Sequence, residues 1–305
     1  MELQFLGTSA GVPTLRRNVT SIALNLLKEQ QGIWLFDCGE GTQHQIMRSG
    51  LNPQKIEQIF ITHMHGDHIL GLPGLLTSRS MSTGPQPLTV YGPPGIRRYL
   101  ETVLEMTASY LTYPLTINEI QPGAIMQQPQ FTVHAAHLEH RVECFGYRIE
   151  QSALPGALDA GKLQRDNISS GPHLQQLKNG QTITLPDGRI INGQDYIHPA
   201  TPGKIITIMG DTAPAPQAVA LARHADILVH EATLEAAFAE KANERGHATT
   251  TQAAQFAKDS QAKQLIITHI SARYHQMDEP RLLEECRAIF PATVMAHDLE
   301  TFPVN

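Results

Sequence analysis

The chain has 305 residues, 41% of them hydrophobic and 17% charged, a balance that suits a globular protein with a sizeable core and excludes long disordered stretches. Its net charge of −6 gives no electrostatic sign of a nucleic-acid-binding surface. Three widely spaced cysteines, Cys38, Cys144 and Cys286, exclude a disulfide framework and a CxxC zinc pattern, so any metal falls to His and carboxylate.

The first residues, Met1 to Gly7, lack a basic segment followed by an apolar one, and no apolar run approaches the roughly 18 residues of a membrane span. A cytoplasmic protein without a membrane partner is expected. Short β-rich runs come first, with strands expected at Leu3 to Leu6, Ser21 to Leu27 and Ile33 to Phe36, the last closed by Asp37-Cys38-Gly39. A helical stretch from Thr42 follows, then a buried strand ending at Thr62, a helix after His68, a strand at Leu88 to Tyr91 and a helix from Gly95 to about Thr107. From Thr116 to Ile149 the pattern is mainly strand. Strand and helix alternate again after Lys204, with strands at Ile205 to Met209, Ile227 to Val229 and Leu265 to Thr268. Between the two halves, about 151–202, Gly and Pro break any periodicity, which reads as an insertion and not as a linker between domains. This order predicts one α/β domain over 1–305, an αββα sandwich of two mixed sheets with helices on the outer faces.

The strongest local signal is His63-Met64-His65-Gly66-Asp67-His68, directly after a strand. Four donor side chains in six residues cannot converge from one helix or strand. They can from a tight loop in which Gly66 relaxes the backbone, so strand, loop and helix are expected in that order. His140, Asp211 and His269 each close or follow an apolar run. Strand ends deliver side chains to one rim of a sheet, so distant segments can feed one crevice. For the single histidines, His134, His137, His275 and His297 are nearby alternatives. Imidazole and carboxylate suit Zn2+ best, although Mn2+, Co2+ and Fe accept the same donors.

HxHxDH followed by distant His, Asp and His resembles the metallo-β-lactamase superfamily. The resemblance implies one zinc on His63, His65 and His140, a second on Asp67, His68 and His269, and Asp211 bridging both. Such sites open β-lactams, thioesters, lactones and phosphodiesters, so the metal pair does not select a substrate. Phe5 to Pro13, Phe36 to Gln43, Gly71 to Leu75, His230-Glu231-Ala232-Thr233 and His247-Ala248-Thr249 are similar to motifs of bacterial, short-form ribonuclease Z.

That similarity implies a homodimeric endoribonuclease acting on precursor tRNA and not on DNA, leaving a tRNA 3′-hydroxyl and a 5′-phosphorylated trailer, with exoribonuclease action also open. It implies that Asp67 is ligand and proton acceptor, that His247 protonates the leaving oxygen with Glu231 orienting it, and that the insertion is an arm gripping the tRNA elbow. One departure is Leu15, which stands where the family's PxKxRN loop has lysine. Competing readings are a phosphodiesterase for small cyclic-nucleotide-type esters on the same site and a nonhydrolytic metal- or RNA-binding protein.

Overall fold

Runs such as Ile33–Phe36 and residues 265–267 are apolar at every position because both of their faces are covered, which is the signature of strands inside a layered sandwich. A computed structural model describes residues 1–81 and 86–304. The strands gather into two seven-stranded sheets. The first runs, in order, Thr301–Pro303, Glu2–Gly7, Ser21–Asn25, Ile33–Phe36, Ile56–Phe60, Leu88–Gly92 and Leu115–Glu119; it is antiparallel up to Ile33–Phe36 and parallel beyond. The second runs Thr293–Met295, Leu265–Thr268, Ile227–Glu231, Ile205–Ile208, Phe145–Gln151, Phe131–His137 and Gly123–Gln127. Its first four strands are parallel, and Phe145–Gln151 is antiparallel to Ile205–Ile208.

Three apolar layers hold these sheets. Between them lie Leu3, Phe5, Trp34, Phe36 and Phe60 from one side and Phe131, Phe145, Tyr147, Ile206 and Val229 from the other. Phe60 stacks on Phe36 and Tyr91 with ring centroids 5.0 Å from each, and Trp34 meets Phe131 edge-on at 5.3 Å across the sandwich. Residues of opposite parity, such as Leu35 and Ile59, pack outward with Leu72, Leu76 and Leu100 of the helices Leu72–Ser80 and Ile96–Met106. On the other side, Leu265 and Ile267 pack with Ala254 and Leu282 of the helices Thr250–Asp259 and Glu279–Arg287. The αββα expectation is borne out.

Thr249 caps Thr250–Asp259 through a capping box with Gln252, which accounts for the Ala248-Thr249 part of that motif structurally. The run expected as strand from Ser21 to Leu27 stops at Asn25, because Leu27–Glu29 turns as a 3-10 helix closed by Gln30 at φ 60°. Among the described residues no helix is long and apolar enough to cross a membrane.

Residues 151–204 form a compact unit of their own, and 1–150 with 205–305 form another. Helices Ala160–Arg165 and His173–Lys178 and a hairpin of Thr182–Thr184 with Ile190–Asn192 enclose a small core that includes Leu163, Ile168, Leu177 and Tyr196. The Gly/Pro pattern hid these elements, because pieces of three to six residues carry too few turns to show a period.

Candidate metal centre

Four parallel strands carry donors to the cleft. Ile56–Phe60 leads to the His63 loop, Ile205–Ile208 to Asp211, Leu265–Thr268 to His269, and Ile227–Glu231 ends on Glu231 itself. His140 follows the antiparallel strand Phe131–His137. The expected order of strand, loop and helix is found, with the short helix at Gly66–Ile69.

The sequence argument for Gly66 needs correction. Gly66 is the first residue of that helix and has no positive φ; a Cβ there would instead press on Leu70 Cδ1 at 2.8 Å. The left-handed residues at the site are Asp37 (φ 58°) and His269 (φ 57°), conformations costly for a side chain and held by the packed surroundings. The glycine that the loop does require is Gly39, where a Cβ would come within 2.3 Å of the Asp67 carbonyl oxygen.

All seven residues expected as ligands converge. His65 Nδ1 lies 3.0 Å from His63 Nε2 and 3.1 Å from His140 Nε2. Asp67 Oδ2 lies 3.5 Å from His68 Nε2 and 3.4 Å from His269 Nε2. Asp211 Oδ2 sits among both groups, 3.8 Å from His63 Nε2, 3.5 Å from His68 Nε2 and 3.3 Å from His269 Nε2. The alternatives stand elsewhere: His134 faces Glu150, His137 stacks on Phe145, and His297 pairs with Glu279 and Glu300.

The outward nitrogens of four of these rings are tied down. His68 Nδ1 meets Asp37 Oδ2 at 2.7 Å, His63 Nδ1 meets Thr62 Oγ1 at 3.0 Å, His140 Nδ1 donates to the Gly246 carbonyl at 2.7 Å, and His269 Nδ1 meets Thr233 Oγ1 at 2.9 Å. Asp37 is itself fixed by the Thr62 N–H at 2.7 Å and the Thr62 hydroxyl at 2.8 Å. Such contacts fix the orientation and tautomer of each ring, as they do where imidazoles ligate a metal. Asp37, in sequence only part of the turn that closes a strand, therefore belongs to the site, as does Thr233, which joins Glu231 to His269.

These donors fit a divalent cation. His68 Nε2 is buried without a hydrogen-bond partner although its ring is anchored at the other nitrogen, a state that a ligand bond would satisfy. Burial lowers the pKa of His63, His65 and His140, so these imidazoles are neutral, the form that ligates. Burial opposes ionisation of Asp211, yet the surrounding His269 and His68 hold its carboxyl well below the usual range. Asp67 likewise stays ionised despite burial, held there by the neighbouring His269 and His68. We expect Asp37→Ala to weaken metal affinity by about 10- to 100-fold while leaving the fold intact, measured by competition with a chromogenic chelator. Unchanged affinity would remove Asp37 from the centre.

Glu231 and His247 complete the site. Glu231 Oε1 accepts from the Thr212 N–H at 2.8 Å and from His247 Nδ1 at 2.9 Å, and Oε2 accepts from the Thr233 hydroxyl at 2.5 Å. Burial works against a charged His247, but the Glu231 carboxylate outweighs it and raises the pKa to about 9. His230 points away, buried against Phe256 with Nδ1 on the Glu231 carbonyl. The Gly11 N–H reaches Asp67 Oδ2 at 2.8 Å, held there by the short parallel pairing of Ser9–Ala10 with Ile270–Ser271.

Residues 1–153 match the family described as Anti-Pycsar protein Apyc1. Ribonuclease BN of Citrobacter koseri is 57% identical over 305 residues, covering all of both chains. Human tRNase Z, short form, superposes with a TM-score of 0.74 at 30% identity, again over the whole of both chains. The metallo-β-lactamase fold protein YhfI from Bacillus subtilis gives a TM-score of 0.70 at 16% identity, covering 99% of this chain and 98% of that one, a likeness of fold.

Proposed function

From the chain's membership of the ribonuclease Z family, within the metallo-β-lactamase superfamily, we propose that it is a two-zinc endoribonuclease that removes the 3′ trailer of precursor tRNA. The observation that carries the reading is a convergent His/Asp donor set with the Glu231–His247 couple, 2.9 Å apart, directly against it. The donor set suits a metal-assisted hydrolase, and the couple supplies an acid where a phosphodiester needs one.

His63, His65 and His140 would hold one ion, Asp67, His68 and His269 the other, with Asp211 shared. Bound there, the ions supply Lewis-acid stabilisation of phosphate charge and a water of near-neutral pKa. Asp67, steadied by the Gly11 N–H, accepts the proton of the attacking water. His247 carries the proton that the departing 3′ oxygen takes as the P–O3′ bond breaks, which leaves a tRNA 3′-hydroxyl and a 5′-phosphorylated trailer. Its Nδ1 is committed to Glu231, so Nε2 is the nitrogen free to donate. Glu231 cannot swing away, because Thr212 and Thr233 occupy its remaining lone pairs. Charge at the scissile phosphate needs no basic cluster under this scheme, which reconciles a net charge of −6 with a nuclease. The 151–204 unit would serve as a second tRNA contact, in a homodimer.

The test is cleavage of a 3′-extended precursor tRNA by purified protein, before and after chelation and with zinc, manganese or cobalt restored. A cut beside the discriminator nucleotide, lost on chelation and regained most fully with zinc, is expected. Metal-loaded protein that leaves this RNA intact yet hydrolyses small phosphodiesters would move the function to the small-ester reading.

A further inference from the structure

The cleft that exposes Asp67, Asp211, His247 and His269 has a volume of about 280 Å³ and is also lined by Lys241, Arg245 and Arg273. Among the described residues none of these three cations forms an ion pair, whereas elsewhere Arg17 holds Glu279, Arg148 holds Glu150 and Arg281 holds Glu235. Three uncompensated positive charges around one opening repel one another, and in a chain of net charge −6 their gathering there is not a consequence of overall composition.

Their placement is built. Lys241 and Arg245 are four residues apart, so the helix Ala239–Glu244 and its closing residue turn them to one face. Gly246 (φ 77°) follows directly, its carbonyl anchors His140 and its next residue is His247, so cations, a ligand and the acid share one turn. Arg273 comes from the other wall, four residues after His269. The Phe238 ring lies under both walls, 4.9 Å from the Arg273 guanidinium and 5.9 Å from Lys241 Nζ, and gives the two stems a common apolar support.

A cleft of this size seats one phosphodiester and parts of its sugars; the rest of an RNA strand has to leave over the edge. We propose that Lys241, Arg245 and Arg273 form a rim that binds the phosphates flanking the scissile one, so that the site selects a polyanionic strand over an isolated phosphodiester. The proposal deepens the ribonuclease reading and rests on it. Discrimination then comes from neighbouring charges and not from base identity, because cations contact every phosphate alike.

The test compares metal-loaded protein with Lys241→Gln, Arg245→Gln and Arg273→Gln, singly and combined, on precursor tRNA and on bis(p-nitrophenyl) phosphate, with decauridylate as inhibitor of the latter. For the triple variant kcat/KM on RNA should fall about 100-fold, through KM, and at least tenfold more than on the small ester. The slope of log KM for RNA against log salt should flatten by roughly 0.7 per charge removed, and Arg245→Lys should retain most of the parent's RNA affinity. Equal losses on both substrates, or an unchanged salt slope, would overturn the rim. A parent protein that hydrolyses the ester and leaves precursor tRNA uncut defeats the ribonuclease reading alone. The rim is then judged by decauridylate, whose inhibition constant must rise in the variants.

Discussion

Asp67→Ala is expected to reduce cleavage of precursor tRNA by at least about 10⁴-fold, with kcat and kcat/KM falling together and metal content dropping below that of the parent. Asp67 Oδ2 lies within 3.5 Å of His68 Nε2 and His269 Nε2, so the substitution removes a donor from that group and the proposed proton acceptor in one step. General-base loss alone accounts for about 10² to 10⁴, and an incomplete donor set adds to it. Asp67→Asn separates the two, since it keeps the shape and removes the charge. If either variant held full metal and more than a tenth of the parent's rate, Asp67 would have neither role.

His247→Ala is expected to behave differently, keeping metal but losing about 10² to 10⁴ in kcat. His247 is tied to Glu231 and stands 3.8 Å from Asp211 Oδ2, and its removal leaves the seven converging donors in place. The sign of the pH effect follows from the geometry. Burial alone would keep His247 neutral, but Glu231 raises its pKa to about 9, so the proton-carrying form persists through neutral pH and activity falls as pH rises through that value. Glu231→Gln takes the charge away and should move the alkaline limb of the rate profile down towards the ordinary histidine range near 6.5. Zinc loss in His247→Ala, or an alkaline limb that stays put in Glu231→Gln, would contradict the assignment of the acid.

Much of this site is legible in the linear chain because its donors have no competing explanation. His63, His65, Asp67 and His68 in six residues serve no packing pattern, and His140, Asp211 and His269 each sit where an apolar run stops. The layers were readable for the same reason: Leu35 and Phe36 face opposite cores, and an unbroken apolar strand needs both. What stayed hidden depends on partners far along the chain. Asp37 has the appearance of a turn residue until His68, 31 positions on, is seen 2.7 Å away. The part played by Thr233 is hidden likewise, because its contact with His269 spans 36 positions. The freedom assigned to Gly66 belongs to Asp37 and His269, since a left-handed φ at a non-glycine residue is imposed by packing and leaves no trace in residue type.

The contact between Asp67 and His269 closes a loop of 202 residues. A ribosome adding roughly 5 to 20 residues each second needs on the order of 10 to 40 s to make that stretch, while hydrophobic collapse of the first sheet takes far less than a second. The HxHxDH loop is thus displayed on a nascent chain long before Asp211, His247 and His269 exist. During that interval it offers imidazole and carboxylate donors without the walls that select among metals, and selectivity becomes a matter of which ion is still exchanging when the last strands arrive.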